Sequence, residues 1–342
     1  MSPALSFLKR FQGALGLVLI FIVAIIVSPQ IDGQNTFLSP TNLTDILRAS
    51  SIIGIMALAM TFVIITAGID LSVGSVLALS TCVLALMLKR WNPETVSSAR
   101  AVADGFQALG IPFDPYAHIV IAVAAALIAS TLVGVLSGTI TAKLRVQPFI
   151  ATLATMIGIR GFTKWLSNNA TMDIGFGKNT PALFAEFASQ KTVMIGTYAV
   201  LAALFAFVFS RTVFGRHVRA VGDNEKAARY SGLPIARIKI AVYTLSGLLC
   251  GIAGVLFAAQ TNQSDPNAGM GYELDVITAV VLGGTSLAGG KGSVGGTIVG
   301  TLIIGVLTNI LGLRNIDMNV QMMVKAVIII LAVWMQKREK AD

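Results

Sequence analysis

The feature that most limits this chain is the recurrence of long apolar runs. Segments at about 13–30, 46–67, 72–89, 118–142, 148–165, 194–210, 239–260, 273–288, 294–312 and 321–336 each approach the roughly 20 residues a helix needs to cross a hydrocarbon layer. In lipid the backbone must satisfy its own hydrogen bonds, so such runs fold as helices. The expected fold class is an all-α polytopic membrane protein with about ten transmembrane helices. Charge content supports this: 12% of the residues are charged, against roughly 25% in soluble domains, too few to cover a water-facing surface. Intrinsic disorder, which needs low hydrophobicity, is excluded by a 55% hydrophobic composition. Two runs strain the pattern, because 148–165 contains Arg160 and Lys164, and 273–288 opens on Glu273 and Asp275.

Net charge is +9, which in a soluble protein would raise nucleic acid as a partner. In a membrane chain it orients the spans instead. With the N-terminus in the cytoplasm and ten alternating crossings, fifteen Lys and Arg fall on the inner side and eight on the outer; Arg160 and Lys325 stay within spans. Both termini are therefore expected inside. The implied organisation is a cytoplasmic segment 1–12, a transmembrane domain 13–336 and a cytoplasmic tail 337–342. Lys9 and Arg10 before the first run resemble a signal peptide, but residues 29–31 offer no small-residue cleavage site, and a retained span is expected. Segments 90–117 and 166–193 are expected as outer loops, and 211–238 as a strongly basic inner one.

Several chemistries drop out. Cys82 and Cys250 sit inside apolar runs, and His118 and His217 lie far apart, so neither a disulfide framework nor metal-ligand spacing is present. Gly290-x-Gly292-x-x-Gly295 has the spacing of a dinucleotide fingerprint but lacks the strand that must precede it. The same stretch fails as a phosphate loop around Gly290-Lys291, with Thr285 where the first glycine belongs and Gly292 where Ser or Thr should hold magnesium. No cofactor is expected on this chain, and it is not expected to be an enzyme. Asn42-Leu-Thr44 and Asn169-Ala-Thr171 fit a glycosylation sequon short enough to arise by chance. Pairs such as Gly134/Gly138 and Gly247/Gly251 have the small-xxx-small spacing that lets helices approach closely.

Three segments carry candidate function. In Thr66–Gly74, Asp70 and Ser72 either cap the start of the third span or line a conduction path; an acid at a span boundary must be solvated, paired or used. In Gly215–Lys239, Asp223 or Asn224 caps a short helix over Lys226–Ser231. Glu225 lies in its first turn, Gly232 stops it and Pro234 prevents continuation. The result is an isolated two-turn helix with a flat Ala227-Ala228 surface, suited to docking a cytoplasmic partner. Outside, Asn262–Asn267 and Gly271–Asp275 form a polar loop. Asp265, Tyr272, Glu273 and Asp275 there either contact a periplasmic partner or simply solvate it.

Taken together, Gly215-Arg216, Ala220–Asn224, Ala227–Arg229 and Ser231-Gly232 resemble the cytoplasmic loop of bacterial ABC sugar permeases of the ribose type. TAGIDLSVG at 66–74, QPFIATL at 147–153 and GYELDVITAVVLGGTSLAGGKG at 271–292 match that family in the same order, from about residue 40 to 336. Asp223 departs from it, since many members carry Gly there.

The resemblance implies an importer built from two permease subunits (homodimer or heterodimer), two cytoplasmic ATPase subunits that carry ATP and magnesium, and a periplasmic sugar-binding protein. It makes Gly222, Asp223, Asn224, Glu225, Ala227, Ala228, Arg229, Ser231 and Gly232 the ATPase-docking element. Asp70, Ser72, Gln147, Phe149 and Thr152 become candidates for the translocation path. An ion-gradient-driven secondary transporter is the competing expectation. It would need acidic or His residues at mid-membrane, and the charge arithmetic puts Asp70 near the cytoplasmic end. A membrane-embedded enzyme is third, with no supporting side-chain cluster in the spans.

Overall fold

The computed structural model describes residues 12–31, 33–90, 114–174 and 180–338. Most of the expected outer loop 90–117, the N-terminal segment before Gln12 and the last four residues lie outside these.

The helices follow the apolar runs. Three of them start where Pro sits at the first position, where a missing N–H costs nothing: α2 (Pro40–Ile65), α4 (Pro115–Ala142) and α5 (Pro148–Leu166). Ser39 caps α2 by accepting from Asn42 N (3.2 Å), and Asp114 caps α4 by accepting from Tyr116 N (3.0 Å). The remaining helices are α1 (Gln12–Val27), α3 (Val73–Arg90), α6 (Thr180–Ala188), α7 (Lys191–Arg211), α8 (Val213–Asp223), α9 (Glu225–Tyr230), α10 (Ile235–Thr261), α11 (Tyr272–Leu282), α12 (Val294–Leu313) and α13 (Met318–Arg338). Two short antiparallel pairs join them: β1 (Gln30–Ile31) with β2 (Gln34–Asn35), and β3 (Met172–Asp173) with β4 (Gln263–Ser264). Among the described residues, α2, α4, α7, α10 and α12 are long and apolar enough to cross a membrane, and α1 and α3 are shorter apolar helices.

The chain divides into two units. Unit 1 takes residues 1–68, 195–235 and 274–342, and unit 2 takes 69–194 and 236–273. In unit 1, α12 packs on α1 and α2. Phe37, Ile46, Val306 and Ile310 form a core there, and Thr61 and Thr297 share a buried hydroxyl contact of 2.6 Å. In unit 2, α3 is central, with α4 and α5 against it, and Leu84, Leu88, Ala126, Phe184, Val255 and Ala259 form the core. Here the small-residue spacing has its use. A methyl group added at Gly134 would strike the Tyr243 carbonyl oxygen, and one at Gly247 the Ser130 carbonyl oxygen, so α4 and α10 touch backbone to backbone.

Four expectations change. The run 273–288 is not one helix: α11 has 11 residues, about 16 Å at 1.5 Å per residue, and ends in a glycine turn. Within 166–193 lies the helix α6. The basic segment 211–238 holds two helices, because α8 precedes α9. Residues 262–271 do not loop over the helix ends but run back along α3.

Candidate functional site

The basic segment 211–235 belongs to unit 1. Thr212 Oγ1 accepts from Gly215 N (3.3 Å) and starts α8. This helix is hidden in a basic sequence because its apolar residues recur at three-residue intervals: Gly215, Val218 and Val221 are buried, while Arg216 is exposed. Four aromatic rings fix its entry: Phe62 of α2 lies 5.8 and 5.5 Å from Phe205 and Phe209 of α7, edge-on, and 6.1 Å from Phe214, stacked. Arg219 reaches back over the Phe209 ring (4.7 Å) and donates to the Phe209 carbonyl (2.8 Å). The far end of α8 closes without side chains. Gly222 lies so near Ile65 that a methyl group would meet the Ile65 carbonyl oxygen, and Gly290 N donates to that same oxygen (2.9 Å). The end of α8, the end of α2 and the glycine turn before α12 therefore meet at backbone contact.

Asn224, not Asp223, caps α9: its side chain accepts from Ala227 N (3.0 Å), while Asp223 is the last residue of α8. Gly232 stops the helix at φ +80°, and Gly232 N and Leu233 N turn back to the carbonyls of Arg229 and Ala228. The expected flat alanine pair is corrected. Ala228 is 6% exposed and faces inward, whereas Ala227 is exposed. Lys226, Arg229 and Tyr230 complete the outer face, with Tyr230 91% exposed and Arg229 paired to Glu225 at 3.0 Å. Ser231 Oγ returns to the Ala227 carbonyl (3.0 Å). The residue-type pattern located the helix, but Tyr230 went unnoticed for want of any pattern around it.

The second cluster belongs to unit 2 and centres on Asp70, 3% exposed. Its Oδ1 accepts from Ser72 N (3.0 Å) and Ser72 Oγ (2.6 Å), and its Oδ2 from Ser246 Oγ (2.7 Å). Next to it, the Ile69 carbonyl accepts from Tyr243 OH (3.3 Å) and Thr152 Oγ1 (3.2 Å). Ser246 lies near the middle of α10, so Asp70 sits at mid-helix height and not at the cytoplasmic edge. Of the five path candidates, Asp70, Ser72 and Thr152 converge here and are buried, while Gln147 and Phe149 are exposed at the start of α5. Ser246 and Tyr243 are the partners that local patterning misses.

The four outer candidates scatter. Asp265 Oδ1 accepts from Asn267 N (2.8 Å), Glu273 Oε1 from Gly271 N (3.2 Å), and Tyr272 meets the Phe257 ring edge-on at 6.1 Å. Asp275, 8% exposed, is bound to Lys325 Nζ at 2.8 Å within unit 1, so it does not sit in a solvated loop. No group of three or more metal-ligating side chains occurs among the described residues.

Five helices long and apolar enough to cross a membrane, among the described residues, make this a helical membrane protein. Residues 42–333 match a family described as branched-chain amino acid transport system / permease component, and the chain belongs to it. It is 41% identical over 339 residues to the ribose import permease protein RbsC of Escherichia coli (strain K12), covering 98% of this chain and 96% of that one. The ribose import permease protein RbsC of Bacillus subtilis (strain 168) is 37% identical over 339 residues, 98% and 94% covered. The fructose import permease protein FrcC of Rhizobium meliloti is 33% identical over 346 residues, 97% and 88% covered. No solved structure matches. The chain is a bacterial inner-membrane permease of the ABC monosaccharide type.

Proposed function

We propose that this chain is the transmembrane subunit of an ATP-driven importer that moves a monosaccharide (a ribose-like pentose, a hexose or a cyclitol) into the cytoplasm by alternating access. A cytoplasmic ATPase holds ATP and magnesium, a periplasmic binding protein delivers the sugar, and a second permease copy completes the passage. Both termini face the cytoplasm across ten membrane segments. The carrying observation is the 41% identity over 98% of the chain to a ribose import permease. The presented face of α9 supports it, because a capped helix exposing Lys226, Arg229 and Tyr230 suits a groove on a partner. In this reading ATP binding draws α9 with its ATPase, and the backbone joint at Gly222 passes that movement to α2.

The test is uptake into proteoliposomes holding the chain, its ATPase and its binding protein. Ribose should accumulate only with ATP and all three components present. Accumulation by the purified chain alone, driven by an ion gradient, would overturn the proposal in favour of secondary transport.

A further inference from the structure

Between α10 and α11 the chain of unit 2 returns along α3. Ser264 Oγ lies 3.0 Å from Thr81 Oγ1, at the midpoint of α3, and Gly269 packs its backbone on Gly74 in the first turn of that helix. Residues 264–269 thus run antiparallel to the N-terminal half of α3. The same level is central in the neighbouring helices: Ser80 Oγ donates to the Gly251 carbonyl (2.8 Å), and Gly251 abuts Ser130, midway along α4. Backbone that is not helical at this depth is tolerated only where protein buries it or where it lines a water-filled passage.

The two sides of this segment meet those two conditions separately. Ser264, Pro266, Ala268 and Gly269 are buried, and Arg160 Nη1 donates to the carbonyls of Pro266 (2.8 Å) and Ala268 (2.7 Å). Gln263 and Asn267 are exposed on the other side. Exposed amides in hydrocarbon are strongly disfavoured, so that side requires polar surroundings.

We propose that Gln263–Met270 is part of the wall of the solute passage, with the amides of Asn267 and Gln263 hydrogen-bonding the hydroxyls of a monosaccharide and Arg160 as the positioning residue that holds the segment. An amide offers a donor and an acceptor on one plane, which matches a pair of neighbouring hydroxyls. The proposal rests on the import reading above and names the side chains that would touch the sugar.

The test uses the assembled transporter in proteoliposomes, with ribose, arabinose, galactose and fructose as probes. Cys82 and Cys250 are buried, so an introduced thiol reports with little background. Asn267→Cys should react with a charged, water-soluble thiosulfonate, and a saturating concentration of the imported sugar should slow that reaction several-fold. Ala268→Cys should be unreactive, but reactive when combined with Arg160→Ala, which removes the donor of both bonds. Asn267→Ala should raise KM about tenfold, the worth of one net hydrogen bond, with ATPase assembly unchanged. Reaction of Asn267→Cys only with a lipid-soluble maleimide, an unslowed reaction in the presence of sugar, or an unchanged KM in Asn267→Ala would each overturn the proposal while leaving the import reading intact. Absence of ATP-driven uptake of all four sugars and of a cyclitol by the wild type would overturn both.

Discussion

Asp70 is a buried carboxylate with no cation within its hydrogen-bonded shell; two hydroxyls and one amide hold it. These bonds exist only if Ser72 and Ser246 stay in place, so the Asp70 carboxyl ties the start of α3 to the middle of α10. Ser246→Ala leaves Oδ2 without its donor and should cost about 1–3 kcal/mol, read as a lower midpoint of thermal unfolding in detergent. Because this acid lies at mid-helix height, it also meets the depth requirement of an ion-coupled carrier that the sequence reading denied it. In an ATP-driven importer its role is architectural, and collapsing the proton gradient should leave ATP-driven uptake unchanged. Uptake that stops with the gradient would assign Asp70 to ion coupling. Asp275 is the contrasting case, an acid with a dedicated cation at 2.8 Å. Asp275→Asn strands Lys325 in a partly buried site and should destabilise by about 3 kcal/mol, while the exchange Asp275→Lys with Lys325→Asp should recover most of that loss.

At the scale of elements, α9 divides into residues that build it and residues that face outward. Asn224→Ala removes the cap of a six-residue helix and should cost about 1 kcal/mol. Tyr230→Ala touches an almost fully exposed ring, so it should leave stability within about 0.5 kcal/mol yet weaken ATPase association in a titration of the purified partner. An unaltered affinity would exclude Tyr230 from the docking face. At the other end of α8, Gly222→Ala drives a methyl group into the Ile65 carbonyl, a backbone atom that cannot step aside. It should retain ATPase binding but lose sugar uptake, whereas Gly196→Ala in α7, where nothing lies within 4 Å, should be tolerated. Hydropathy located every long helix among the described residues, because a run of about 20 apolar residues has few alternatives in lipid. It failed where folding depends on distant partners. The return of 262–271 along α3 looks like a surface loop, since Asn, Asp and Pro mark turns in any local window, and its burial depends on Arg160, more than a hundred residues earlier in the chain. The helix α8 was lost for the opposite reason: its basic face set the average, and only the spacing of Gly215, Val218 and Val221 betrays the buried side.

For the whole molecule, the proposed orientation rests on charge, and the structure sharpens which charges count. Lys and Arg act on orientation when they stand free near the ends of spans. Arg160 is committed to two carbonyls and Lys325 to Asp275, so neither belongs in that balance. In the topology proposed above, what remains on the inner side is led by the cations of α8 and α9, among them Arg216 and Lys226, both exposed. That concentration should hold the docking helix in the cytoplasm even when an end of the chain is altered. The expected result is that Lys226→Cys reacts with a membrane-impermeant maleimide only in inside-out vesicles. Gln190→Cys, exposed between α6 and α7, should react only in right-side-out ones. Of the two helices between these positions, α7 and α8, only α7 is long and apolar enough to cross, so this pair tests a single crossing and fixes the direction of the chain through it. Labelling of both positions from the same side would refute the crossing, and reversed labelling would turn the docking helix away from the compartment that holds ATP.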